Sequence, residues 1–332
     1  MKRMVCVLLA ALMVTSVGCG GGKEEIKPNV PDVGGTVGDV EVPVETPEET
    51  VKETEEVSGV LELVAGQDLQ GMVACGDDHI VGLRKDGTVV VAGNCRYGED
   101  NVGDWTDIVK VAADDICTYG LKKDGTIVVT GWLLCEDTIA DMLSWTGLVD
   151  FAVNEKTAVG LKKDGTVVCS SPITAIKCGD WKDVVQVETT DTTVIALKSD
   201  GTVLYTGKNE NVFAAETVRS WTDIVDIDID GDNGVVGLKA DGTVVLSSYE
   251  ADVSSWTDVV LVQLGDWVCG VRSDGTLCTT YQEEIPNATD LVMVAVKDDI
   301  VAVKADGTVI SNRGTNFATG QCTLWTNIGL PE

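Results

Sequence analysis

The sequence is almost devoid of histidine. His79 is the single histidine among 332 residues. A Ser-His-Asp triad would therefore have to use His79, and a metal site that needs two histidine ligands is excluded. The chain also contains no Gly-x-Ser-x-Gly segment and no glycine-rich loop ending in Lys-Ser or Lys-Thr. These absences exclude two common hydrolase and nucleotide-binding signatures, whereas a site made only of Asp and Glu stays open.

Basic residues are scarce as well. The chain has 24 Lys and Arg against 54 Asp and Glu, which gives a net charge of −30. Loss of Lys2 and Arg3 with an N-terminal signal would leave −32. Nucleic acids and anionic lipid surfaces require positive charge on the protein, so both are disfavoured as partners. A basic protein, a metal-rich wall environment or a neutral glycan stays open, and acidity that serves only solubility is the alternative.

Cysteines number 11, but none forms a Cys-x-x-Cys pair, which excludes the usual zinc and redox spacing. Two of them, Cys6 and Cys19, lie near the N-terminus, so nine remain and not all can pair within one chain. Cys269 and Cys278 flank a single Asp-Gly turn. They could form a disulfide if the register puts both on the same face of the hairpin; otherwise cysteine serves as a small buried apolar residue.

A short repeat dominates the rest of the chain. The segment Leu/Val-Lys-x-Asp-Gly-Thr, or a close variant, recurs at intervals of 38, 40, 36, 41, 33 and 32 residues. Its aspartates are Asp86, Asp124, Asp164, Asp200, Asp241, Asp274 and Asp306. Such spacing is typical of a supersecondary unit that buries its apolar faces only against its neighbours. Asp-Gly between two apolar runs predicts a tight hairpin, and helices should be nearly absent because no sustained helical pattern occurs.

The order of the repeats predicts a closed ring. Tryptophan opens most repeats, at Trp105, Trp145, Trp181, Trp221 and Trp256. A further tryptophan, Trp325, lies near the end of the sequence with no Asp-Gly-Thr segment after it. The first repeat has no opener and the last opener has no repeat after it. We therefore expect an all-β, seven-bladed propeller over residues 60–332, with three strands and a short fourth per blade, because closure removes exposed edges. Residues 60–64 are a candidate closing strand, and an open solenoid is the alternative.

The first repeat contains, in order, Gly76-x-x-His79, Leu83, Asp86-Gly-Thr-Val89, Gly93-Asn94 and Gly98. In these features it resembles the repeat of the regulator of chromosome condensation family in its short bacterial form. The likeness runs from about residue 60 to the end and weakens in later repeats. It implies a seven-bladed propeller and a scaffold with a varied binding surface, as in secreted β-lactamase-inhibitor propellers. It does not imply nucleotide exchange on a small GTPase.

The N-terminus reads as an export signal. Lys2 and Arg3 precede an apolar stretch over residues 4–14, and Ser16-Val17-Gly18 precedes Cys19. Residues 1–19 are interpreted as a lipoprotein signal peptide with its lipobox, in which Cys19 is lipidated; plain secretion with cleavage nearby is the alternative. This predicts a protein of the cell envelope, lipid-anchored to the outer face of the bacterial cytoplasmic membrane and exposed to the exterior.

Residues 20–59 follow as a predicted linker. They contain four prolines and 11 acidic against three basic residues. Low hydrophobicity and self-repulsion predict a disordered acidic spacer, which would lift the propeller off the membrane; a solvated tail with no defined role is the alternative.

Candidate ligand-binding residues are the aromatics that lie outside the repeat pattern. They are Tyr97, Trp132, Phe213, Tyr249, Trp267, Tyr281 and Phe317. His79 is expected to be a hydrogen-bonded structural residue. A weak metal candidate is the alternating set Asp226, Asp228, Asp230 and Asp232, which resembles the start of a calcium loop but has Gly237 where a bidentate Glu is needed. We expect strand and turn there, with no metal and no cofactor.

The sequence favours a monomeric, non-catalytic surface lipoprotein that binds a protein or glycan through its loops, since binding residues commonly lie on loops held by a rigid scaffold. The rival is a carboxylate-dependent glycoside hydrolase or lyase acting in the central funnel. A purely structural envelope spacer is the third interpretation.

Overall fold

A computed structural model describes residues 70–133, 135–208, 215–231, 233–247, 251–282, 285, 287–312 and 321–331. The predicted signal peptide, the predicted linker and the candidate strand at residues 60–64 lie outside these ranges. None of the helices within the described part is long and apolar enough to cross a membrane.

The described residues form seven antiparallel sheets of three strands each, and each sheet is one blade. Within a blade the strands follow chain order and are called A, B and C. Blades 1 to 4 comprise β1 Val73–Cys75, β2 His79–Leu83, β3 Val89–Gly93; β4 Ile108–Ala113, β5 Cys117–Lys122, β6 Ile127–Gly131; β7 Leu148–Asn154, β8 Thr157–Lys162, β9 Val167–Ser170; β10 Val184–Thr189, β11 Thr193–Lys198, β12 Val203–Gly207. Blades 5 to 7 comprise β13 Ile224–Asp230, β14 Gly234–Lys239, β15 Val244–Leu246; β16 Val259–Leu264, β17 Val268–Arg272, β18 Leu277–Thr279; β19 Leu291–Val296, β20 Ile300–Lys304, β21 Val309–Ser311.

Two short helices occur in the described part of the chain. They are α1 Glu136–Ser144 and α2 Ala215–Arg219, and both lie in loops that join a C strand to the next A strand. The expected short fourth strand does not appear in the described sheets, each of which has three strands. In the loops that follow the C strands of blades 2 and 4, a helix occurs where a fourth strand was expected. Val218 and Met142 are fully buried there.

The Asp-Gly-Thr segments form the B-C turns, as predicted. In the first of them, Oδ1 of Asp86 accepts hydrogen bonds from the backbone N–H and the hydroxyl of Thr88, at 3.0 and 2.6 Å. The same pair of bonds recurs in the other six turns. Gly87 has a φ of +77°, a conformation that costs glycine little and other residues more. Each part of the repeated tripeptide therefore has its own role in the turn.

A second repeated turn precedes each A strand. In blades 2 to 7 the residue just before the A strand has positive φ, and so does Asn327, which precedes Ile328 near the C-terminus. The seven residues are Asp107, Gly147, Asp183, Asp223, Asp258, Asp290 and Asn327. Only Asp, Asn and Gly occur there, and these are the residue types that adopt the left-handed region most readily. The Trp-Thr-Asp pattern in the sequence is the signal of this turn, although it was interpreted only as an opener.

The ring is closed, and the open solenoid is wrong. Neighbouring A strands contact one another all the way round, and β19 of blade 7 contacts β1 of blade 1. At the same junction, the N–H of Gly329 donates to the carbonyl of Leu83 at 3.0 Å, and Arg84 forms a bridge with Ile328. One buried cluster includes Val73 and Ile80 of blade 1 with Val294 and Val301 of blade 7.

The A strand of blade 1 is assembled from both ends of the described chain. In the other six blades, a bulge interrupts the pairing after the first A-strand residue, as between Ile108 and Lys110. In blade 1, Ile328 supplies the residue before the bulge, and Met72 supplies the residue after it, where it accepts a hydrogen bond from Leu83 at 2.7 Å. The N-terminal and C-terminal parts of the blade 1 strand therefore meet at the bulge, where the backbone hydrogen-bond ladder of the other six blades is also interrupted.

Trp325 packs on blade 1 as the other openers pack on their own blades. A Cβ added to Gly82 would lie 2.7 Å from Cζ3 of Trp325, and one added to Gly120 would lie 3.0 Å from Cζ3 of Trp105. A small residue on the B strand therefore accommodates each indole closely. This contact explains why the last opener is needed although no repeat follows it.

We predict that ending the chain after residue 320 strongly destabilises the propeller. The truncation removes Ile328, which is buried, and the indole of Trp325, so a loss of at least about 5 kcal/mol is expected. The melting temperature should fall by about 10 °C or more. Leu324→Ala, at a side chain that is 80% exposed in the same segment, is the control and should have little effect. A truncated protein that melts within about 2 °C of the intact one would contradict the closed ring.

Candidate functional site

One face of the propeller collects the A-B turns, and it is named the turn face. These turns comprise residues 76–78, 114–116, 155–156, 190–192, 231–233, 265–267 and 297–299. Because the strands are antiparallel, each C strand ends at the same face, and the loop that follows it starts there. For example, the backbone N–H of Trp132 donates to the carbonyl of Ile116 at 3.1 Å. The turn face is therefore built from loops of all seven blades.

Carboxylates dominate the A-B turns. The described acidic residues of these turns are Asp77, Asp78, Asp114, Asp115, Glu155, Asp191, Asp266, Asp298 and Asp299, whereas the basic ones are Lys156 and Lys297. Lys297 of blade 7 binds Asp77 of blade 1 at 2.7 Å and also Asp115 of blade 2. Burial opposes its charge, but hydrogen bonds to the two aspartates raise the pKa of Lys297. This lysine links three blades across the site of ring closure.

Four of the seven predicted aromatic residues lie on the turn face, in two pairs. The rings of Tyr97 and Trp132, from the loops after β3 and β6, have centroids 4.8 Å apart. Those of Trp267 and Tyr281, both in blade 6, are also 4.8 Å apart, in an edge-to-face arrangement. Tyr97 and Trp132 are 45% and 52% exposed, whereas Trp267 and Tyr281 are half-buried.

The other three predicted aromatics are Phe213, Tyr249 and Phe317, and they lie outside the described residues. A ligand role for any of the seven stays a prediction.

The propeller axis carries a ring of seven equivalent A-strand residues, each just after the bulge. They are Met72, Lys110, Asp150, Gln186, Asp226, Leu261 and Met293. The polar members occupy consecutive blades 2 to 5, and the apolar members occupy blades 6, 7 and 1. Six of the seven are at least nine-tenths buried, so side chains fill the axis at this level. Sequence reasoning missed this ring, because the position becomes visible only when the strands are aligned on their bulges.

The polar half of the axis links neighbouring blades. Lys110 of blade 2 forms an ion pair with Asp150 of blade 3. Gln186 donates to the carbonyl of Ile227 in the next blade at 2.7 Å. These bonds pair polar groups that would be costly to bury alone, although Oδ2 of Asp150 has no hydrogen-bond partner within the described residues.

The weak calcium candidate is part of this interblade network. Asp226 accepts the N–H of Val262 in the next blade at 3.1 Å. Asp228 accepts the N–H of Leu264 at 2.7 Å and that of Ile229 at 2.8 Å. Asp230 accepts two bonds from Asn233 in its own turn, and Asp232 lies outside the described residues. No cluster suited to a metal ion is found within the described ranges, and the expected absence of metal stays a prediction.

His79 is buried at the start of β2. Its Nε2 lies 3.0 Å from the hydroxyl of Thr118 in blade 2. Burial lowers the pKa of His79, which favours the neutral ring. A Cβ on Gly76 would lie 2.7 Å from Cε1 of the imidazole, so glycine is required in that turn. The geometry assigns His79 a place in the seam between two blades.

The hypothesis of a Cys269–Cys278 disulfide is wrong. Cys269 pairs with Thr279, and Cys278 pairs with Gly270, so the two cysteines occupy adjacent positions and their side chains point to opposite faces. The disulfide instead joins Cys169, in β9, to Cys178 in the following loop. Both cysteine pairs are nine residues apart, so their spacing in the sequence does not show which of them can bond. Cys269 and Cys278 lie on two paired strands, whereas Cys169 lies on a strand and Cys178 in the loop after it.

We predict that the free energy of unfolding depends on pH through Asp228. Burial raises the pKa of Asp228 to about 7, so the stability contributed by its protonated form is present below the ordinary carboxyl pKa and is lost as pH rises through about 7. Asp228→Asn keeps a neutral side chain at all pH values. The loss in free energy of unfolding that Asp228→Asn causes relative to the parent protein, measured by urea unfolding, should therefore be larger at pH 5 than at pH 8. The exposed Asp104→Asn is the control, and an equal cost at both pH values would contradict the assignment.

Comparison with known proteins supports the fold. The sequence model of the regulator of chromosome condensation (RCC1) repeat matches residues 73–99, which are the strands and turn of blade 1 and the start of its following loop. No curated protein matches the chain significantly.

Among solved structures, the ectodomain of the receptor kinase CR4 from Physcomitrella patens has a TM-score of 0.55 at 12% identity, covering 73% of this chain and 72% of that one. The computationally designed Ika8 protein has a TM-score of 0.45 at 20% identity, covering 74% and 84%. Prp20p from Saccharomyces cerevisiae has 0.40 at 12%, covering 78% and 74%. Of these three, CR4 alone exceeds 0.5, and its low identity shows the fold alone. With the repeat match in blade 1 and seven equivalent blades, the chain is an RCC1-like repeat protein that folds as a seven-bladed propeller.

Proposed function

We propose that this chain is a cell-surface lipoprotein whose propeller is a non-catalytic scaffold and binds a protein or glycan through the turn face. The observation that carries the proposal is the exposed pair Tyr97 and Trp132 on that face. Exposed aromatic clusters on a monomer are typical of interaction sites, and an RCC1-like propeller supplies a rigid support for variable loops. In this proposal the protein acts as a monomer, needs no cofactor and does not bind nucleic acid.

The disulfide supports an extracytoplasmic location. Cys169 and Cys178 are bonded, and disulfides persist mainly in oxidising compartments. The N-terminal sequence points the same way, because an apolar stretch precedes Cys19 in the manner of a lipoprotein signal. The acidic linker would then hold the propeller away from the membrane.

We predict that Cys19→Ser releases the protein from the membrane fraction. Acyl chains attached to Cys19 would supply the membrane affinity, at about 0.8 kcal/mol per buried methylene, and the serine variant cannot carry them as a thioether. Fractionation of cells should show the variant in the medium or in a soluble fraction, and incorporation of labelled palmitate should be lost. Cys95→Ser is the matched control and should leave both unchanged. Membrane retention of the Cys19→Ser protein would contradict lipid anchoring.

A carboxylate-dependent glycoside hydrolase or lyase is the second candidate, and one observation favours it. Burial raises the pKa of Glu188 well above its usual range, while Asp150 lies nearby in an ion pair with Lys110. A protonated and an ionised carboxyl group are the pair that such enzymes use. Against it, Asp150 already accepts the N–H of Phe151 besides pairing with Lys110, Glu188 accepts the side-chain amide of Gln186 at 3.3 Å, and side chains fill the axis at the ring described above. Binding at the turn face is therefore favoured.

We predict that the partner touches the turn face. A photoreactive phenylalanine analogue placed at Trp132 in the full-length protein on living cells should form a covalent adduct with the partner. The same analogue at Leu324, an exposed side chain of the C-terminal closing segment, is the control and should give much less adduct. Equal labelling at both positions, or adducts at Leu324 alone, would contradict binding through the turn face.

A further inference from the structure

An exposed apolar patch bridges blades 1 and 2 on the turn face. It consists of Tyr97, Trp132 and Leu133, which are 45%, 52% and 37% exposed. The two rings are tilted by 48° with centroids 4.8 Å apart, so they form one continuous surface. We name these three residues the aromatic patch.

The aromatic patch is held by hydrogen bonds to its own loops. The N–H of Tyr97 donates to a carboxylate oxygen of the buried Glu99 at 2.8 Å. The hydroxyl of Thr130 donates to the carbonyl of Gly98 at 2.8 Å, which ties the blade 1 loop to blade 2. Rings that are ordered before binding lose less conformational entropy when a partner arrives. The patch is therefore suited to anchor a ligand.

The surroundings of the patch are acidic. A narrow cleft beside it is lined by Trp132, Leu133, Asp114 and Glu155, and exposed Glu136 and Asp137 begin α1 directly after it. Asp114 already accepts hydrogen bonds from Ile116, Cys117 and Tyr119, so its role is structural. Glu136 and Asp137 are exposed and follow the patch in sequence, and Glu155 lines the cleft.

The neighbouring cations already have partners, and one of those partners is Glu155 itself. Lys297 binds Asp77 and Asp115, and Lys156 pairs with Asp191 in blade 4 as well as lying 3.5 Å from Glu155. Arg96, beside Tyr97, directs its guanidinium at the side-chain oxygen of Asn94, at 2.7 Å. The patch thus combines aromatic faces with surplus negative charge.

We propose that the aromatic patch, with Glu136, Asp137 and Glu155, binds an arginine-bearing cationic segment of a protein partner. A guanidinium can stack on the Trp132 indole while its N–H groups reach the carboxylates. A neutral glycan could stack on the same ring, but it would gain nothing from the carboxylates, so charge complementarity favours the cationic segment. The inference rests on the proposed function and names the chemistry of its partner.

The test measures binding of a fluorescein-labelled nonapeptide of alternating arginine and glycine to the detergent-solubilised full-length protein, by fluorescence anisotropy. A glutamate-for-arginine peptide and a soluble chitin or cellulose oligosaccharide serve as competing probes. The protein variants are Trp132→Ala, the double variant Glu136→Gln with Asp137→Asn, and Leu324→Ala as the matched exposed control. Circular dichroism of each variant checks that the propeller is folded, and folding should persist because the altered side chains are exposed.

We expect the arginine peptide to bind, with affinity that falls as salt is raised. Trp132→Ala should weaken it by about tenfold, within the range of a cation–π contact, the double variant should weaken it and flatten its salt dependence, and Leu324→Ala should leave it unchanged. Equal binding of the glutamate peptide, or a Trp132→Ala protein that binds the arginine peptide as well as the parent, would overturn the inference. Preferential binding of the oligosaccharide at Trp132 would also overturn it while leaving the proposed function intact. If the photoreactive analogue at position 132 formed no adduct with a partner on cells, that result would instead count against the proposed function.

Discussion

One hydrogen bond, repeated seven times, sets the geometry of the propeller. The first N–H of each A strand donates to the carbonyl of the turn glycine in the preceding blade, for example Ile108 to Gly87 at 3.0 Å and Leu148 to Gly125 at 3.1 Å. The last of the series runs from Ile328 to Gly307 at 3.1 Å, so the chain end repeats the rule. Because the Asp-Gly-Thr turn fixes where that carbonyl lies, the turn sequence determines how each blade sits on the next.

Ring closure follows from the same constraint. If every A strand must be anchored to a turn in the preceding blade, the A strand of blade 1 requires an anchor from blade 7. Ile328 provides it, and Met72 continues the strand after the bulge. A strand split at its bulge loses no ladder hydrogen bond that the other blades possess. Ile328 and Met72 therefore account for closure within the described residues, and the candidate strand at residues 60–64, which lies outside them, stays a prediction.

The sequence was sufficient for the repeat, the B-C turns and the closed ring, because each depends on local chemistry or on counting openers. It was insufficient for features that depend on register. Cys269 and Cys278 lie on opposite faces, since Cys269 opposes Thr279 and not Cys278, and the position of a bulge decides which residues share the axis. Likewise, the aromatic residues were chosen as departures from the repeat, but the pairing of Tyr97 with Trp132 required the packing of blade 1 against blade 2.

The distribution of carboxylates separates structural from functional acidity. Along the axis, Asp226 and Asp228 accept backbone N–H groups of blade 6, and Asp150 binds Lys110. Those groups stabilise contacts between blades, so their side chains are already committed to holding the ring together. On the turn face, Glu136 and Asp137 are exposed beside Trp132 and Leu133, where a bound ligand can reach them without disturbing a blade contact. Because the buried acids are used for assembly and the exposed acids are not, we place the proposed binding site on the turn face.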